Sequence, residues 1–65
     1  MTTGEKIKQK REELLMTQQD VADELGIGRS YIAKVELGIK QPTVQLLKGI
    51  AGVLRCTMDE LVGVA

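Results

Sequence analysis

The sequence predicts an all-α fold of five short helices. Three observations predict it. Threonine stands just ahead of an apolar stripe at four places, apolar residues recur at three- and four-residue spacing, and no segment alternates apolar with polar residues as a strand does. The predicted helices cover about residues 3–15, 18–25, 29–37, 43–54 and 58–63.

The first helix opens at Thr2, with Glu5 three residues on to complete a capping box, and Ile7, Leu14 and Leu15 are read along one side of it. Thr17 starts the second, with Asp20 in the first turn at the positive end of the helix dipole. Its buried stripe is Val21, Ala22 and Leu25, and Gly26 ends it, because glycine takes the left-handed turn at least cost. Ile27 is the apolar plug of that turn, and Gly28 stands at the start of the third helix, whose Ile32 and Val35 face the core. Thr43, after Pro42, caps the fourth helix, with the stripe Val44, Leu47, Ile50, Ala51 and Leu54. Gly49 and Gly52 lower its propensity by about 1 kcal/mol each relative to Ala. Thr57 and Glu60 form a capping box for the fifth, with Met58, Leu61 and Val62 as its apolar side. Helices this short persist only when packed together.

The 65 residues allow one domain, and 43% apolar content is enough for one small core. There is no histidine and a single cysteine, Cys56, so an internal disulfide, a catalytic histidine and the usual zinc sites are all excluded. No catalytic residue, metal ligand set or cofactor is expected. Cys56 is read as a small buried hydrophobe. No apolar run approaches the roughly 20 residues of a membrane span, and charges begin at Glu5 without a signal-peptide core. A cytoplasmic chain with no membrane partner is expected.

Nine basic and nine acidic residues cancel, but they are segregated. Residues 1–11 carry a net +3, residues 12–28 a net −5, residues 29–55 a net +4 and residues 56–65 a net −2. The basic block 29–55 holds the third helix and the loop after it. The acids Asp20, Asp23 and Glu24 are therefore expected to face away from any polyanion bound there.

Segment 17–37 reads helix, tight turn, helix, with small Ala22 allowing a close crossing. The outward side chains of the third helix are Arg29, Ser30, Ala33 and Lys34. Arginine can fork onto the two acceptors of guanine, and serine can bond any base. The residues alone also fit an ordinary helical hairpin with a polar outer face.

The run Thr17-Gln18-x-x-Val21-Ala22-x-x-Leu25-Gly26-Ile27-x-Arg29-Ser30-Tyr31-Ile32-x-Lys34-Val35-Glu36-x-Gly38 resembles the signature of the Cro/repressor-type (XRE) helix-turn-helix family. Pro42-Thr43-x-x-x-Leu46-Leu47-x-x-Ile50-Ala51-x-x-Leu54 and Met58-Asp59-Glu60-Leu61 resemble that family's fourth and fifth helices. The resemblance covers about residues 4–62. It implies a compact five-helix, lambda-repressor-like domain over residues 1–65 that binds double-stranded DNA and regulates transcription, most often as a repressor.

By the same resemblance, Arg29, Ser30 and Lys34 read bases, while Gln18, Tyr31, Lys40 and Gln41 contact phosphates. Gln18 also braces the recognition helix, and Arg11 and Glu36 form a structural ion pair. A bacterial or phage-encoded, nucleoid-associated protein is expected. One domain reads few base pairs, so a homodimer is expected as well. Met58, Leu61 and Val62, with nearby Val64, give the C-terminal helix more apolar surface than a tail needs. That helix is the candidate dimer surface, the alternative being that Leu61 and Val62 close the core. No small-molecule effector is expected. Three residues depart from the family pattern: Leu15 and Arg55 stand where glycine is common, and Gly28 where serine or threonine is usual. Leu15 suggests a longer or differently shaped first turn. The alternative from another class is an antitoxin or adaptor module whose main partner is a protein.

Overall fold

Four threonines start four helices, each by the same local bond. The hydroxyl oxygens of Thr2, Thr17, Thr43 and Thr57 accept from the backbone N–H three residues on, at 3.0–3.2 Å. At Thr2, Thr17 and Thr57 the acid at that third position reciprocates, accepting from the threonine's own N–H at 2.8–2.9 Å. Thr43 lacks this return bond because Leu46 stands there. The computed structural model describes residues 1–62. Its helices are α1 (Thr3–Glu13), α2 (Gln18–Leu25), α3 (Arg29–Glu36), α4 (Val44–Val53) and α5 (Met58–Val62), with no strand among the described residues. The predicted end of the last helix at residue 63, and Val64, lie outside the described residues. Gly28 opens α3 without a side-chain cap.

Four helices also end alike. After α1, Met16 N–H donates to Arg11 O at 3.0 Å and Leu15 N–H to Glu12 O at 3.0 Å. The same crossed pair closes α2 at Gly26 and Ile27, α3 at Gly38 and Ile39, and α4 at Arg55 and Cys56. This is the Schellman turn, whose pivot residue is left-handed. Gly26 and Gly38 hold φ at +68° and +78°, and Leu15 and Arg55 hold it at +58° and +57°. The first turn thus has the ordinary glycine shape despite its leucine, which corrects the expectation of a different one. α1 stops at Glu13 rather than 15. Leu14 and Leu15 leave the predicted stripe and are 39% and 91% exposed. Val44, at the first position of α4, is also exposed rather than buried.

The core draws on every helix: Ile7 from α1, Val21 and Ala22 from α2, Ile32 and Val35 from α3, Leu47, Ile50 and Ala51 from α4 with Leu54 at its end, and Leu61 from α5. Burying each of the larger aliphatic side chains contributes about 1.5–3 kcal/mol. Leu61 is fully buried, which corrects its assignment to a dimer surface: it closes the core of its own chain. α2 packs on α3 and α4, and α1 on α3 and α5.

One contact sets the position of α3. A Cβ on Gly4 would fall against Val35 O and within 2.5 Å of Glu36 O, both backbone atoms. Only glycine lets the start of α1 lie on the last turn of α3. Gly49 has a similar but softer role, its missing Cβ lying 2.9 Å from the end of the Leu25 side chain, whereas Gly52 faces open space. Cys56 is half-buried against the core. Burial raises its thiol pKa; Glu60 adds to the rise and Lys10 opposes it.

Candidate nucleic-acid interface

Arg29 and Ser30 open α3 and are exposed, and Lys34 lies exposed a turn later. Ala33, between them on the helix surface, is half-buried. Because Ile32, Val35 and Glu36 face inward, the helical period leaves Ser30 and Lys34 outward, while Arg29, seven residues before Glu36 on the same side, is exposed as the first residue of the helix. Beyond α3 the left-handed turn at Gly38 folds the chain back, and the N–H groups of Ile39 and Lys40 both donate to Lys34 O, at 2.9 and 3.3 Å. This ties the loop bearing Lys40 and exposed Gln41 to the end of α3. Lys40 Nζ sits 5.0 Å from the centroid of the Tyr31 ring. The ring packs half-buried on the core, so it holds the ammonium by cation–π attraction at the edge of the site.

Beneath this surface lies a chain of polar bonds. Arg11 donates through Nε to Glu36 Oε2 at 2.7 Å and through Nη2 to Glu36 Oε1 at 3.1 Å. Its Nη1 donates to Met16 O at 2.9 Å. Both residues are buried, at 8% and 7% exposure, and no buried side-chain polar atom lacks a partner among the described residues. The Glu36 hydrogen bond raises the Arg11 pKa, against the opposing effect of burial. Glu36 Oε1 also accepts from Gln18 Nε2 at 3.1 Å, and Gln18 Oε1 accepts from Arg29 Nη1 at 3.4 Å. So α1, α2, the end of α3 and its first residue are joined through four side chains.

The structure thus brings Gln18 and Arg29 together, and Tyr31 with Lys40. It places Arg11 and Glu36 as a buried pair behind them rather than at the surface. The inward amide bond of Gln18 and the close approach at Gly4 are not signalled by sequence spacing, since their partners lie far along the chain. Asp20, Asp23 and Glu24 are exposed on the side of α2 away from buried Val21 and Ala22, and Gln19 Nε2 donates to Asp23 at 2.8 Å. Arg29 meets α2 at Gln18, on the opposite side of that helix. Among the described residues the single ion pair is Arg11–Glu36, so Arg29, Lys34 and Lys40 keep charges not matched by a carboxylate. No described helix is long and apolar enough to cross a membrane.

A family model described as helix-turn-helix matches residues 7–61. The chain is 35% identical over 63 residues to the immunity repressor protein of Bacillus phage phi105, an alignment covering 97% of this chain and 44% of that protein. It is 36% identical over 63 residues to the cryptic phage CTXphi transcriptional repressor RstR of Vibrio cholerae, covering 97% and 56%. Its identity to the uncharacterized HTH-type transcriptional regulator YqaE of Bacillus subtilis is 36% over 58 residues, covering 89% and 50%. The chain therefore spans about half the length of the curated relatives it matches. The crystal structure of the P22 c2 repressor protein in complex with synthetic operator 9T superposes with a TM-score of 0.90. It covers 95% of this chain and 94% of that one at 24% identity, which shows a shared fold.

Proposed function

This chain belongs to the XRE-type helix-turn-helix family, and from that premise we propose that it binds double-stranded DNA at specific sequences and regulates transcription as a repressor. The observation that carries the reading is the accessible start of α3, where Arg29 is held by Gln18 over a buried ion pair. Two of the relatives bear repressor in their names, and the P22 c2 repressor is seen with an operator, which supports the same reading.

In this account α3 enters the major groove. Arg29, Ser30 and Lys34 meet base edges, and Arg29 can fork onto guanine. Gln18, Tyr31, Lys40 and Gln41 meet phosphates on either side, which fixes register without reading sequence. Arg11 and Glu36 never touch DNA; they fix the angle between α1 and α3. One domain reads few base pairs, so two copies act together, their recognition helices about 34 Å apart on a two-fold repeated site. The C-terminal helix can offer such a partner half-buried Met58 and exposed Val62, but not Leu61.

Salt separates this reading from that of a protein-binding module. Duplex affinity measured by fluorescence anisotropy from about 50 to 200 mM salt should fall steeply, by about 0.9 in log–log slope per phosphate contacted. Lys40→Ala should lower that slope by about one unit for every duplex tried. Absence of duplex binding, or an affinity indifferent to salt, contradicts the proposal.

A further inference from the structure

Leu37 puts a large apolar side chain on the outward stripe of α3. Its N–H donates to Ala33 O at 3.0 Å, and its φ of −79° and ψ of −6° are right-handed, so it continues the helical register past Glu36. It therefore follows Ser30 by seven residues, Ala33 by four and Lys34 by three, all on one side. Gly38 then turns the chain away. Leu37 is 74% exposed and takes no part in the core. With half-buried Ala33 it lines a hollow that Gln18 and the start of α1 also border. Lys34, one turn back on the same stripe, has no carboxylate partner among the described residues.

We propose that Leu37, with Ala33 beside it, reads thymine, its side chain packing on the C5 methyl of one thymine in each half-site. The proposal rests on the reading of DNA by α3 given above. The occupant follows from the surroundings. Leu37 shares its stripe with Ser30 and Lys34 and its hollow with Gln18, so what covers those residues covers Leu37. The unmatched charges of Lys34 and Lys40 favour a polyanion over an apolar protein face. In the major groove the thymine methyl is the apolar group that a base pair presents, and an aliphatic side chain packs on it without a hydrogen bond. Leu37 lies eight residues beyond Arg29, which is about 12 Å along the helix. Its thymine is therefore a different position from the base that Arg29 meets. Arg29, Ser30 and Lys34 select by hydrogen bonds, whereas Leu37 selects by the methyl alone.

Uracil is thymine without that methyl and with the same hydrogen-bonding groups, so exchanging the two isolates the contact. In a duplex selected from random sequences, each thymine is replaced in turn by deoxyuridine and affinity is read by fluorescence anisotropy. At one thymine per half-site the wild-type chain should lose about fourfold, the worth of one buried methyl group. Leu37→Ala, folded by circular dichroism, should bind the thymine and uracil duplexes alike at that position. It should keep the preference that Arg29 supplies elsewhere in the half-site. A selected duplex in which every thymine tolerates uracil overturns the thymine proposal and leaves the DNA reading standing. So does a uracil penalty that persists in Leu37→Ala. A selection that enriches no motif overturns the reading of DNA by α3, and this proposal with it.

Discussion

Gln18 donates its amide N–H to Glu36 across 3.1 Å, and that bond decides which way the amide points. A carboxylate can only accept, so the NH2 group must face Glu36 and the amide oxygen must face outward. The outward oxygen is what receives Arg29 Nη1 at 3.4 Å. A guanidinium can only donate, so the two neighbours require the same orientation. Arg29 is thereby positioned before any ligand arrives, which reduces the ordering cost of binding. Gln18→Glu should therefore set a carboxylate against Glu36 and lose about 1–3 kcal/mol of stability. Gln18→Ala, which leaves the Arg11–Glu36 pair intact, should lose about 1 kcal/mol or less. Urea unfolding of the two variants checks the order.

The Arg11–Glu36 pair should behave as a unit. Arg11→Met strands a buried carboxylate, and Glu36→Leu a buried guanidinium. Each should cost about 3–5 kcal/mol, and the double variant should recover most of that loss. A 65-residue chain has little stability to spare, so the single variants should be largely unfolded near 37 °C. A double-mutant cycle in urea measures the coupling. Losses that simply add would contradict a shared buried pair.

Glycine-to-alanine changes should act in opposite directions at two helical positions. At Gly52 the added methyl meets open space, and helix propensity should raise stability by about 1 kcal/mol. At Gly4 it meets two backbone carbonyls of α3, which cannot rotate away. That substitution should cost about 3 kcal/mol by overpacking and tilt Glu36 away from Gln18. Thermal unfolding of the two variants side by side is the check.

The sequence made the starts of the helices legible because a capping threonine and its acid lie three residues apart. The ends were harder to read. Leu15 and Arg55 carry no local sign of a left-handed turn, so the apolar pattern of Leu14 and Leu15 looked like a continuing stripe, although the helix had already ended. The outward face of α3 was legible from the helical period, which separates Ser30 and Lys34 from Ile32 and Val35, and the exposure of Arg29 from its place at the start of the helix. The support beneath it was not. Nothing in the chain connects Gln18 to Glu36, or Gly4 to Val35, until α1 and α3 are packed together. Leu61 was misplaced for the same reason: an apolar residue near the C-terminus looks alike whether it closes its own core or meets another copy.

Acid should loosen the start of α1. The hydrogen bond from the Thr2 backbone, followed by that from its hydroxyl, lowers the Glu5 pKa below its ordinary value of 4.5. A carboxylate with a lowered folded pKa contributes fully above its unfolded pKa and loses that contribution as pH falls through the folded one. Thermal midpoints should thus decline as pH falls below about 4.5. Glu5→Gln, which keeps the cap but not the charge, should flatten that part of the decline. An unchanged acid limb in the variant would show that the Thr2–Glu5 box makes no pH-dependent contribution.

Sequence-specific reading of DNA by α3 is tested most directly by selecting duplexes from a random-sequence pool with the wild-type chain and with Arg29→Ala in parallel. The wild type should enrich a two-fold repeated motif, its half-sites about one helical turn or a multiple of it apart. Arg29→Ala should lose preference at one position in each half-site, by about 1–3 kcal/mol, and keep the rest. A pool with no enriched motif, or an identical motif from both proteins, would contradict the account.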